Sequence, residues 1–251
     1  MKKIYAEGHR GACALYPENT LLSFQKAMEM GVDAIEFDIW LTSDKVPVLM
    51  HDGSAYRTCG VDKNLRDMTL TEVKTLCPSC PKAFGNQFQG QVEVPTLYEL
   101  LELQKKLRPD LKLGVEIKEY TEETVDLSVA ILKEFGLFDK ACFYAFDAPT
   151  IQYLKTKYGA RTMGYPDFQM KRLTPDVYDY YDELGLGMQF VRSEIYGLYP
   201  PKGFPIHLYC ADTEEDVDAC LAKAECVLIT ANDPVALMKK LGRVPGETKD
   251  Y

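Results

Sequence analysis

Two acidic residues face the same way in the stretch AIEFDIWL. Glu36 and Asp38 alternate there with Ile35, Phe37, Ile39 and Leu41. On a strand buried on both faces, paired inward carboxylates are costly unless a cation accompanies them; at a sheet edge both would sit in water. LKLGVEIK repeats the pattern, with Glu116 and Lys118 on one face and Val115 and Ile117 on the other. Glu116 and Lys118 alone would read as a surface pair worth well under ~1 kcal/mol. Two such strands together favour a site. Three hard oxygen ligands, Glu36, Asp38 and Glu116, select Mg²⁺, Ca²⁺ or Mn²⁺ over zinc. Histidine is scarce, three in 251 residues. His9 and His51 each close an apolar run, where a group that moves protons near neutral pH is useful. Arg10 and Lys118 are cations suited to phosphate, the guanidinium gripping two oxygens at once. Together these residues point to metal-assisted phosphoester hydrolysis, with the two histidines dividing the work of acid and base.

Other residues near this set read more plainly. Gly8 and Gly11 flank the His-Arg pair and let the backbone turn closely past a ligand. Pro17-Glu18-Asn19-Thr20 reads mostly as a helix start, because Asn and Thr are good caps, with Glu18 placed to orient Arg10. His207, inside IHLYC, reads as core or barrel-lining.

The elements that must hold these residues alternate almost throughout. Strands are predicted at Ile4–Gly8, Ala34–Leu41, Lys112–Ile117, Ala141–Ala145, Arg161–Gly164, Gly187–Val191, Ile206–Cys210 and Cys226–Thr230, with an extra run at Val46–Met50 that follows its predecessor without a helix. Helical spacing lies between most of them, at Leu21–Met30, Thr96–Leu107, Glu122–Phe135, Thr150–Lys157, Glu214–Ala224 and Pro234–Leu241. Thr96 precedes Glu99 by a capping-box interval. Repeated strand–helix units imply a parallel sheet, open or closed. Eight strands and 251 residues suit a (β/α)₈ TIM barrel, an α/β fold, as a single domain over residues 1–251. Gly53–Pro95 is irregular and reads as an insertion after an early strand.

Apolar residues at 46% and charged residues at 27% describe a soluble globular chain. A net charge of −9 argues against nucleic acid and against stable docking on an anionic membrane. MKKIYAEGHR lacks the apolar core of a signal peptide, so a cytoplasmic location is expected. Eight cysteines then read as reduced thiols, most in apolar surroundings; Cys77 and Cys80 have CxxC spacing but no partner pair, leaving a structural metal or local disulfide as the lesser option.

The residues from His9 to Asp52, HRG…PENT…GVDAIEFD…HD, followed by VPTLYELL at Val94–Leu101 and EIK at Glu116–Lys118, resemble the glycerophosphodiester phosphodiesterase family. The match is specific in the N-terminal portion and weaker in the C-terminal half. The resemblance implies a TIM barrel that hydrolyses glycerophosphodiesters, such as glycerophosphocholine or glycerophosphoethanolamine, to glycerol 3-phosphate and an alcohol, with Mg²⁺ or Ca²⁺ (or Mn²⁺) as cofactor. It places metal ligands at Glu36, Asp38 and Glu116, the acid–base pair at His9 and His51, and phosphate contacts at Arg10 and Lys118. Three departures are expected to line the mouth and bear on substrate choice. Ala145 stands where the family has serine, Tyr209-Cys210-Ala211-Asp212 replaces WTVN with Tyr209 as the surviving aromatic, and Ala231 falls at an aspartate in ITANDP. The alternatives are a lipid phosphodiesterase of the lysophospholipase D or sphingomyelinase D kind, whose apolar entrance would come from Ala55, Tyr56, Phe84 and Phe88, and a binding protein that has lost turnover.

Overall fold

A computed structural model describes residues 3–243. Its strands are β1 (Tyr5–Gly8), β2 (Ala34–Leu41), β3 (Pro47–Leu49), β4 (Lys112–Ile117), β5 (Ala141–Tyr144), β6 (Arg161–Gly164), β7 (Glu183–Gly187), β8 (Ile206–Tyr209) and β9 (Cys226–Ala231). The α-helices are α1 (Leu21–Glu29), α2 (Tyr56–Cys59), α3 (Leu70–Val73), α4 (Pro81–Phe84), α5 (Leu97–Leu107), α6 (Glu122–Glu134), α7 (Ala148–Tyr158), α8 (Met188–Val191), α9 (Glu214–Leu221) and α10 (Pro234–Lys240). β1 pairs in parallel with both β2 and β9, which closes eight parallel strands into a (β/α)₈ barrel. β3 lies outside that count, antiparallel on β2 with Leu49 opposite Ile39.

The alternation in β2 explains its place. Ile35, Phe37 and Ile39 are fully buried on the outer side, where the Phe37 ring meets Phe24 of α1 edge-on at 6.2 Å. Burying each such side chain contributes about 1.5–3 kcal/mol. Glu36 and Asp38 are thereby turned into the barrel. The helices begin where their caps dictate: Thr20 accepts from the Ser23 amide, and Thr96 and Glu99 form the capping box that their spacing implies.

One predicted strand is displaced. Gly187–Val191 is not a strand: β7 is Glu183–Gly187, and Met188–Val191 forms the short helix α8. The bulky run MQFV imitates a strand, whereas ELGLG is poor in the branched residues that mark one. Its glycines are structural, since a Cβ on Gly185 would lie 2.8 Å from the Tyr165 ring packed inside the barrel.

The insertion is a small folded unit. Ala55, Leu65, Met68, Val73, Leu76 and Val94 form a second core against Val48 and Met50. This corrects the expected apolar entrance. Ala55 is 0% and Phe88 6% exposed, because Ala55 joins that core and Phe88 packs edge-on against Phe84 at 5.3 Å. Only Tyr56 of the four stands well out, at 61%. Cys77 and Cys80 are free thiols. Among the described residues no helix is long and apolar enough to cross a membrane.

Gly185→Ala should push the Tyr165 ring out of its place and lower stability by about 1–3 kcal/mol, read from thermal or urea unfolding. Gly197→Ala, with nothing within 4 Å of the added Cβ, should stay within about 0.5 kcal/mol of the parent.

Candidate active site

The barrel interior carries the three acids together. Glu36, Asp38 and Glu116 are all buried, and each offers an oxygen within 4.8 Å of the others. Asp38 and Glu116 stand opposite each other in the β2–β4 register. Glu36 Oε2 accepts from the Arg10 amide at 2.9 Å, and Asp38 Oδ2 accepts from Asn19 Nδ2 at 2.8 Å. Glu36 Oε1 and Asp38 Oδ1 have no hydrogen-bond donor. Burial pushes the Glu36 carboxyl well above the usual range, and the neighbouring charges of Asp38 and Glu116 add to this. Burial raises Glu116 as well. For Asp38, burial acts in the same direction but is outweighed by Arg10 and Lys118, which hold it below the usual range. Buried, hard and partly unsatisfied, these oxygens fit a divalent cation.

Two cations flank the acids. Arg10 Nε lies 3.2 Å from Asp38 Oδ2, and Lys118 Nζ lies 2.9 Å from Glu116 Oε1 and 3.6 Å from Asp38 Oδ1. The loop after β1 takes its shape from unusual backbone. Arg10 and Asn19 have φ of 49° and 54°, and Gly11 has 88°. A Cβ on Gly11 would lie 2.4 Å from Ser23 Oγ, the hydroxyl that donates to Arg10 O at 3.0 Å and accepts from the Ala12 amide at 2.9 Å. Non-glycine residues held in the left-handed region mark a backbone fixed by its surroundings.

The histidines have different partners. His9 Nδ1 lies 2.6 Å from Asn232 Oδ1, while Asn232 Nδ2 donates to Asp212 Oδ2 at 2.6 Å. A carboxylate can only accept, so the Asn232 amide must direct its oxygen at His9, and His9 must carry its proton on Nδ1. Nε2 is left as the basic nitrogen, 3.8 Å from Glu36 Oε2. Burial, then the adjacent Arg10 charge, lowers the His9 pKa to about 4. His51 instead sets Nδ1 against a carboxylate, Asp52 Oδ1, at 2.6 Å, and its Nε2 lies 3.1 Å from Lys118 Nζ. It arrives from an unexpected direction, past the end of the antiparallel hairpin strand β3 and not at the end of a barrel strand.

Around them is a cavity of about 280 Å³ lined by His9, Arg10, Glu36, His51, Glu116 and Lys118 on one side. Phe146, Tyr165 and Tyr209 line the other, with Phe146 stacked on Tyr165 at 3.6 Å and Tyr209 edge-on to it at 5.8 Å. His207 lies beneath, fully inside the barrel, with Nε2 3.1 Å from Glu7 Oε2; Thr230 and the Tyr144 hydroxyl also donate to Glu7.

All seven residues singled out from the sequence meet in this one place, and Glu18 does reach Arg10, at 3.1 Å. Four contributors were missed. Asn19 is not the cap, which is Thr20, but spends its amide on Asp38; its place just before the capping residue hid that role. Asp52 beside His51 was visible but not given a part. Asn232 and Asp212 were hidden by the extra residue in ITANDP, so the departures in that region do touch the histidine machinery. Ala145, Ala211 and Ala231 are fully buried and do not line the mouth, which is left to Tyr209 and Cys210. Cys13 and Cys210 are likewise not in plain apolar surroundings: their sulfurs stand 3.9 and 3.7 Å from His9 Nδ1.

A family model for the glycerophosphoryl diester phosphodiesterase family matches residues 9–182. Over 151 residues the chain is 32% identical to a glycerophosphodiester phosphodiesterase of Caldanaerobacter subterraneus, covering 59% of this chain and 60% of that protein. Over 131 residues it is 35% identical to mouse glycerophosphodiester phosphodiesterase 1, covering 52% and 38%. The matched region thus spans about three fifths or less of these curated relatives. A phosphodiesterase of Oleispira antarctica, solved in complex with the product sn-glycerol-3-phosphate, aligns with a TM-score of 0.81 at 22% identity, over 95% of this chain and 96% of that one. A glycerophosphodiester phosphodiesterase of Thermotoga maritima aligns at 0.71 and 23%, over 96% and 99%. At these identities the two structures establish the shared barrel.

The amide partner of His9 has a measurable signature. In an NMR titration in chelator, His9 should gain its proton only near pH 4. Asn232→Asp should raise that value by about one unit or more, because a carboxylate stabilises the imidazolium. An unchanged titration in the variant would remove Asn232 as the group that sets His9.

Proposed function

The chain belongs to the glycerophosphoryl diester phosphodiesterase family, and from that premise we propose that it hydrolyses glycerophosphodiesters to glycerol 3-phosphate and an alcohol. The observation that carries this reading is the gathering of two histidines, two cations and three buried carboxylates around one cavity. Arg10 and Lys118 bind the non-bridging phosphate oxygens and offset their charge. His9 holds its proton on Nδ1 and offers Nε2 to the attacking water, which loses a proton as its oxygen bonds to phosphorus. His51, with Asp52 behind it to stabilise the imidazolium, gives a proton to the alcohol oxygen as its bond to phosphorus breaks. The surroundings of the two rings favour this division of labour: burial and the adjacent Arg10 keep His9 unprotonated at Nε2, and Asp52 orients the His51 ring through Nδ1. A divalent cation, Mg²⁺ or Ca²⁺, held by Glu36, Asp38 and Glu116 would supply Lewis-acid neutralisation of the phosphate. The aromatic wall of Phe146, Tyr165 and Tyr209 faces the organic part of the substrate.

A lysophospholipid substrate is the second reading. It is favoured by Phe168 and Leu173, 58% and 51% exposed in the loop that follows β6. A panel of glycerophosphocholine, glycerophosphoethanolamine and lysophosphatidylcholine decides between the two.

Chelation should abolish hydrolysis of glycerophosphocholine and added Mg²⁺ or Ca²⁺ should restore it; full activity in EDTA would overturn the metal role. His9→Ala and His51→Ala should each lower turnover by ~10²-fold or more. Glu36→Gln relieves repulsion among buried acids. It should therefore melt at or above the parent temperature in chelator while losing most of the stabilisation that the parent gains from added Mg²⁺.

A further inference from the structure

We propose that Arg57, supplied by the inserted segment, is a positioning residue that ties the phosphate clamp to the proton-donating histidine; this rests on the hydrolytic reading above. Arg57 sits on α2, whose last turn ends at Gly60 with φ 71°. Its guanidinium spends three nitrogens on two carboxylates. Nη1 and Nη2 donate to Glu18 Oε2 and Oε1 at 2.7 and 2.8 Å, a bidentate pair. Nε donates to Asp52 Oδ2 at 2.6 Å.

Each carboxylate has its other contact inside the site. Glu18 Oε1 also accepts from Arg10 Nη1 at 3.1 Å, and Asp52 Oδ1 holds His51 Nδ1 at 2.6 Å. The run Arg10–Glu18–Arg57–Asp52–His51 thus joins the loop after β1 to the chain after β3 through one planar cation. Neither carboxylate can turn without breaking a hydrogen bond to a charged group, the strongest kind available at such a position. Arg57 is 41% exposed on its side chain and belongs to neither hydrophobic core, so its worth lies in orientation and not in packing. A lysine could not reproduce it, because an ammonium lacks the fork that spans two carboxylates.

The two ends of the run predict separable defects. Asp52→Asn should lower kcat on glycerophosphocholine by about 10-fold or more with little change in KM, since it acts through His51. Glu18→Gln should raise KM, and weaken glycerol 3-phosphate binding by calorimetry in Mg²⁺, by a similar factor through Arg10. Arg57→Ala should show both defects, Arg57→Lys should recover less than half of either on a logarithmic scale, and all variants should melt within a few degrees of the parent. Adding Arg57→Ala to Asp52→Asn should leave kcat nearly where Asp52→Asn alone puts it, because the two act through one ring. Imidazole ¹H–¹⁵N NMR supplies a readout without turnover: the His51 Nδ1–H signal, held against Asp52 in the parent, should shift or broaden in Arg57→Ala. Arg57→Ala with kcat, KM and glycerol 3-phosphate affinity all within twofold of the parent would overturn the assignment, as would effects that multiply in full in the double variant. If the parent itself hydrolyses no glycerophosphodiester, the hydrolytic reading falls, and an unchanged His51 Nδ1–H signal in Arg57→Ala would remove the positioning role separately.

Discussion

Three carboxylates facing one another inside a barrel are the constraint to which the neighbouring structure answers. Like charges at this spacing repel strongly wherever water is excluded. Their compensation comes from specific places. Arg10 must reach Asp38, so the loop after β1 accepts a left-handed backbone at Arg10 and at Asn19. Gly11 must lie against Ser23, so no side chain is tolerated there. Lys118 stands one step beyond β4, where it can touch Glu116 and Asp38 together. Each is a local cost accepted to hold negative charge in a small volume. Such concentrated, incompletely satisfied charge is a common mark of a working site.

The barrel handles its remaining interior polarity differently. At the floor Glu7 is enclosed by Thr230, His207 and Tyr144, a network in which donors are matched to the carboxylate. The Glu7 carboxylate is satisfied there, while the far ring nitrogen of His207, Nδ1, has no partner. At the mouth, oxygens of Glu36 and Asp38 remain without donors. The two layers use similar side chains on neighbouring strand positions, and what differs is whether the carboxylate oxygens find donors.

Much of this was legible in the chain. Alternation in AIEFDIWL and LKLGVEIK placed the acids inward, because a period of two is a property of the strand and needs no tertiary knowledge. The displaced strand β7 shows the opposite case: ELGLG carries no signal of its own, and its strand character depends on Tyr165 filling the space above Gly185. Asn19 and Asn232 were illegible for a similar reason. Asn19 looks like any helix cap, and Asn232 meets His9 only across 223 residues of sequence. Arg57 lay in a segment without periodicity, where nothing local distinguishes it from a solvated arginine. Local patterns reveal which residues face inward; long-range pairing decides what they touch.

The contact between His9 and Asn232 also has a temporal meaning. His9 follows the first strand and Asn232 the last, so their hydrogen bond spans the seam at which β1 and β9 close the barrel. A chain emerging from the ribosome possesses every acid and cation of the site once β4 is made, yet His9 has no amide to fix its tautomer until β9 arrives. Ring closure and the fixing of the His9 tautomer are therefore one event. An unfinished or unzipped barrel carries the acids and cations without the contact that fixes His9.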